Sequence, residues 1–169
     1  MGRTGIFWAL LAVTLAVYGV LVAVVGPPMQ ALANGGAIPD LRITGYDAAD
    51  IRALLDGAEP GFAEAYARVS RSWDRAVPVL FALTFGYGIW IGGLPRVFVL
   101  VPILMGLADL AENTLAARML LAGPAALDPG QVAWASAFTV AKWVLFPVTL
   151  LLLVTGLVRR RKADKEVRT

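Results

Sequence analysis

The chain has 169 residues, 59% of them hydrophobic, with 15 basic and 12 acidic side chains for a net charge of +3. Its charged fraction is 16%, against about 25% for a soluble domain, and the charges fall in blocks, which is the composition of a polytopic membrane protein. With no Cys and no His, disulfides, thiol nucleophiles, Ser-His-Asp triads and His-bearing zinc or di-iron sites are excluded. Carboxylates alone could still hold a hard cation, but no motif here calls for a metal or a cofactor.

Residues 6–25 are uncharged and long enough to span a bilayer, and Gly26-Pro27-Pro28 is expected to end them. Ala31-Leu32-Ala33 has the form of a signal-peptidase site. A signal core is about 7–15 residues, shorter than this segment, so a retained first transmembrane helix is expected. Residues 27–75 form the one sizeable water-facing region, with five basic and seven acidic residues. After a loop at 33–39, two amphipathic helices are expected in an insert at 40–75. In the first, Asp47 is a candidate N-cap and Gly57 a stop. The second follows Pro60, with Phe62, Ala65, Tyr66, Val69 and Trp73 on one stripe. Such helices are expected to lie on the bilayer surface or cap the bundle; a lid over a cavity is the sharper alternative.

The second span is 76–94, with Asp74 as a candidate cap and Pro78 in its first turns, where proline is tolerated. Gly88 and Gly92 make a small-x-x-x-small pair that lets another helix approach closely, within the chain or in an oligomer. The short turn Leu94-Pro95-Arg96 makes the second and third spans an antiparallel hairpin. The third span is 97–120, and a Pro/Gly-rich loop follows at 123–130. The fourth is 132–158, with Pro147 expected to kink it. The tail 159–169 holds six basic against two acidic residues. A basic block after an apolar helix is a cytoplasmic anchor that can touch anionic lipid headgroups, and nucleic-acid binding is not expected. The expected fold is therefore an all-α integral membrane protein, a single domain of four transmembrane helices. Both termini are cytoplasmic and the insert between helices 1 and 2 is external.

The third span carries Asp109, Glu112 and Asn113, which fall on one side of a helix at about 100° per residue. Lipid cannot satisfy them, so that side should face the bundle interior. Asp109 lies about 18 Å below the outer end of its span and Lys142 about 16 Å below the outer end of the fourth, at 1.5 Å per residue. The two ends share a short loop, so Lys142 is expected to pair with Asp109, Glu112 or both. Thr139 and Thr149 extend a weakly polar stripe beside Lys142, and the depth of Thr84 lets it join. Two carboxylates facing one ammonium leave a surplus acid, which can carry a proton, act as an acid or base, or hold a cation. Polar glue that fixes helix register explains the same residues and stays open.

Gly45-Tyr46 leading a short helix, then Tyr66, Asp74 with Pro78, and Ala108-Asp109-Leu110-Ala111-Glu112-Asn113, in that order, resemble a family of small four-helix membrane proteins. These carry Asp-x-x-x-Pro at the start of the second helix and Asp-x-x-Glu-Asn within the third. The resemblance covers about residues 45–120, implies no activity, and adds Asp74 and Tyr66 to the residues of interest. Three functions stay open. One is proton- or cation-linked transport or small-ligand binding at the buried polar site. Another is a membrane-embedded enzyme acting on a lipid-like substrate, and the third is a structural or interaction protein. Whether the chain is an enzyme is not decided by the sequence.

Overall fold

A computed structural model describes residues 2–166; Met1 and residues 167–169, including Arg168 of the basic tail, lie outside the described residues. Among the described residues there is no strand. Helix α1 (Arg3–Val20) runs through one wide π-type turn (Leu21–Val25) into α2 (Gly26–Ala31), giving a rod of 29 residues. Gly26-Pro27-Pro28 does not end it, contrary to expectation. The Gly26 N–H bonds the Leu21 carbonyl five residues back, and the prolines then occupy first-turn positions, where a missing N–H costs little.

The insert holds α3 (Ala48–Gly57) and α4 (Phe62–Arg71). Asp47 caps α3 by accepting the N–H groups of Ala49 (2.8 Å) and Asp50 (2.9 Å), while the Asp50 carboxylate accepts the Asp47 N–H (3.0 Å). This reciprocal box satisfies donors that the first helical turn leaves free. Next come α5 (Trp73–Ile91), α6 (Leu100–Ala122) after a 3-10 turn at Arg96–Val99, and α7 (Pro129–Glu166). Helix α7 continues through Pro147 and carries Arg159, Arg160, Arg161, Lys162 and Lys165 in further helical turns. It is thus longer at both ends than the expected span.

Three helical stretches are long and apolar enough to cross a membrane: Arg3–Ala31, Arg96–Ala122 and Pro129–Lys162. Their outer faces carry large apolar side chains, with Leu104, Leu107, Leu151 and Val154 each more than half exposed. So much outward apolar surface suits lipid rather than water. Arg3 stacks over the Trp90 ring (5.5 Å), and Arg160 donates to the Ile91 carbonyl (2.9 Å). The start of α1, the end of α5 and the later turns of α7 therefore share one end of the bundle. At that end Gly88 faces Phe7 and Leu153, and a Cβ on Gly92 would stand 2.5 Å from the Gly156 Cα. Within the chain the glycine pair lets α1 and α7 approach α5 closely.

Two apolar clusters hold the molecule. One lies at the terminal end around Phe7, Phe85, Ile89, Met105 and Leu153. The other ties the insert to α6 and α7 through Ile51, Leu54, Phe62, Met119, Leu120 and Val132. A layer of polar side chains sits between them.

Candidate functional site

Helix α6 presents Glu112 and Asn113 fully inward and Asp109 at the edge of the interior, where its side chain is 19% exposed. From α7, Lys142 reaches Asp109 Oδ1 at 3.0 Å and Glu112 Oε2 at 2.5 Å. One turn earlier, Thr139 donates to Glu112 Oε1 at 2.7 Å. The α6–α7 pairing thus brings together Asp109, Glu112, Lys142 and Thr139, as their depths suggest.

Asp40 completes the layer, and the sequence reading missed it. It sits in a 3-10 turn (Pro39–Leu41) of the insert, 102 residues before Lys142. Its Oδ1 lies 3.2 Å from Lys142 Nζ, its Oδ2 accepts the Tyr66 hydroxyl at 2.6 Å, and its backbone carbonyl accepts Trp143 Nε1 at 2.9 Å. The Lys142 ammonium donates to Asp40 and Asp109 and forms an ion pair with Glu112 as well, so three carboxylates surround it. The insert therefore does more than cap the bundle, because it drops an acid into the polar layer. No periodicity marks Asp40. In sequence it is one more acidic residue in an acidic loop.

Two tyrosines of the insert line the layer, and one of them, Tyr66, fixes Asp40. Tyr66 is fully buried, and burial, reinforced by the charges of Asp40 and Glu112, raises its pKa well above the ordinary phenol value, so it remains a donor to Asp40. The Tyr46 hydroxyl is also shifted upward, chiefly by burial, and lies against Thr139 without a well-aligned hydrogen bond. The Tyr46 N–H donates to Ser136 Oγ on α7 (2.8 Å). Gly45 has φ +89°, and a Cβ there would meet Ser136 Oγ at 2.8 Å. Only glycine allows both this backbone conformation and this approach.

Asn113 and Asp74 do different work from that expected. Ser72 occupies the N-cap position of α5, no side chain caps it, and Asp74 lies within the first turn. Pro78 has no N–H to bond the Asp74 carbonyl four residues earlier. Asn113 Nδ2 donates to that carbonyl at 3.3 Å instead. The Asp-x-x-x-Pro and Asp-x-x-Glu-Asn motifs therefore meet in space, one supplying a missing donor to the other. Thr84 does not join the layer; it bonds Thr14 of α1 at 2.7 Å. Thr149 is buried with no hydrogen-bond partner and does not extend the stripe.

Beside the layer lies a cavity of about 310 Å³. Asp40, Asp74, Asp109 and Lys142 form its polar wall. Leu21, Val77, Phe81, Met105 and Phe146 are among the side chains of its apolar body. Carboxylate oxygens of Asp40, Asp109 and Glu112 lie within 4.8 Å of one another, close enough to share a metal ion. Lys142 Nζ pairs with all three, so the ammonium already supplies the positive charge that such an ion would bring. The arrangement can hold or exchange positive charge beside an apolar chamber. Comparison with known proteins finds no matching family model, no matching curated protein and no matching solved structure.

Proposed function

We propose that this is a multi-pass membrane protein whose buried Asp40–Asp109–Glu112–Lys142 layer is a charge-responsive site for a small ligand or for proton- or cation-linked transport. The supporting observation is the charge balance: three carboxylates converge on one ammonium at the wall of a cavity, with Asp74 beside them. A layer needed only to fix register would be satisfied by one acid per base, and each further buried acid adds desolvation cost.

In this reading α5 is the fourth span. It packs between α1, α6 and α7 as an antiparallel member of the bundle. The basic residues at the end of α7 favour a cytoplasmic C-terminus, and the shared end of α1 and α7 favours an N-terminus on the same side. The insert is then external. The order Gly45-Tyr46, Tyr66, Asp74/Pro78 and Asp109/Glu112/Asn113 is compatible with the resembled four-helix family, and the meeting of the two motifs gives that order a physical reason. The enzyme reading keeps one favourable observation, a cavity at the layer of Asp109 with Asp40 from the insert above it.

Melting temperature against pH tests the main reading. The purified wild type should change its melting temperature between about pH 5 and pH 9, a window wide enough to titrate perturbed carboxyls. Asp109→Asn and Glu112→Gln should stay folded and monodisperse but lose most of that dependence. A wild type with a flat profile across the window contradicts the proposal.

A further inference from the structure

The cavity has a charged wall, an apolar body and a largely apolar mouth, and each constrains what could enter. Its mouth is marked by lining residues that are also exposed: Tyr18 (41%), Val22 (53%) and Gln30 of the rod and Leu41 (55%) of the insert. They lie on the flank of the rod and at the insert's edge, so the opening faces sideways, toward lipid in the membrane reading. A polar solute gains nothing from crossing such an edge, whereas an amphiphile can slide its chain in from the bilayer.

The wall sets the sign of the head. Lys142 is already shared among Asp40, Asp109 and Glu112. Asp74 lines the same cavity and makes no salt bridge among the described residues. An anionic head would meet surplus acids with the one ammonium occupied. A cationic head finds Asp74, whose carboxyl has the neutral Asn113 amide beside it but no paired cation among the described residues, and Asp109 close by.

We propose that the cavity binds a single-chain amphiphile with a cationic, ammonium-type head. The head lies against Asp74 and the outer edge of Asp109, and the chain runs along Phe81, Met105 and Phe146. This rests on reading the buried layer as a ligand site. Trp143 lines the cavity and holds the Asp40 carbonyl, so its indole should report occupancy.

The test uses the full chain in maltoside micelles, titrated with decyltrimethylammonium and followed by melting temperature and tryptophan fluorescence. A saturable rise in melting temperature with a fluorescence change is expected. Tetramethylammonium, which lacks the chain, and decyl phosphate, which has the opposite charge, should give neither. Asp74→Asn should weaken the response about tenfold, the scale of one charge-assisted contact. Val22→Trp, at the mouth where the residue is more than half exposed, should block it. Equal saturation by decyl phosphate overturns the proposal, as does wild-type titration by Val22→Trp even if Asp74→Asn cannot be purified. If the wild type keeps its pH-dependent melting but gives no saturable signal with the cationic probe, the cavity assignment fails and the buried-site reading survives. If both responses are absent, both fail.

Discussion

At the residue scale, Lys142 decides the energetics. Its side chain is 13% exposed and faces three carboxylates. Removing one partner of a buried ion pair leaves the others uncompensated, at about 3–5 kcal/mol. Lys142→Met should therefore lower stability by about that much, read as the free energy of reversible unfolding in mixed micelles. Asn113 gives a finer test, because its bond to the Asp74 carbonyl exists only where Pro78 withholds an N–H. Asn113→Leu should cost about 0.5–2 kcal/mol in the wild type, and clearly less in a Pro78→Ala background, where the backbone can supply the bond itself. Equal costs in the two backgrounds would show that the amide does not serve that carbonyl. The partners of Lys142 on α6 were legible in the sequence because rise per residue fixes depth along two helices joined by a short loop. Asp40 was not, since it reaches Lys142 through a turn with no period to read.

At the element scale, the prolines teach opposite lessons. Pro27 and Pro28 were expected to stop a helix, yet a π turn just before them absorbs their missing N–H groups and the rod continues to Ala31. That same turn contributes Leu21 and Val22 to the cavity wall, so a local irregularity in the backbone shapes the chamber. Pairwise helix contact through glycine was legible as a pattern, but its partner was not. Spacing shows that Gly92 permits a close approach, and only the fold shows that Gly156 makes it. Gly92→Val should break the contact between α5 and α7 and give aggregated or poorly folded protein on size exclusion, because its Cβ would meet backbone rather than a yielding side chain. Gly19→Ala, where nothing lies within 4 Å of the new Cβ, should fold normally and gain up to about 1 kcal/mol from helix propensity.

At the scale of the whole molecule, the insert and the bundle form one object. The cluster around Phe62, Met119 and Val132 holds the insert onto α6 and α7, and Asp40 carries that attachment into the polar layer. The all-helical character and three of the four expected long apolar stretches were legible from composition blocks. That the insert closes over the acids was not, because amphipathic stripes look the same on a membrane surface and on a lid. Sidedness can be checked directly, since the chain contains no Cys. A single cysteine at exposed Asp56 and one at exposed Lys162 should react with an impermeant maleimide from opposite faces of sealed cells and inverted vesicles. Labelling of both from one face contradicts the topology.

The polar layer is held to be a responsive site rather than glue, and neutralising it whole tests that most directly. The variant combines Asp40→Asn, Asp109→Asn, Glu112→Gln and Lys142→Met, and its melting temperature is followed against pH beside the wild type. Polar but uncharged partners should keep the bundle folded, so the expected result is a monodisperse protein whose pH profile has flattened. A neutral-layer variant whose profile superimposes on that of the wild type would contradict the account.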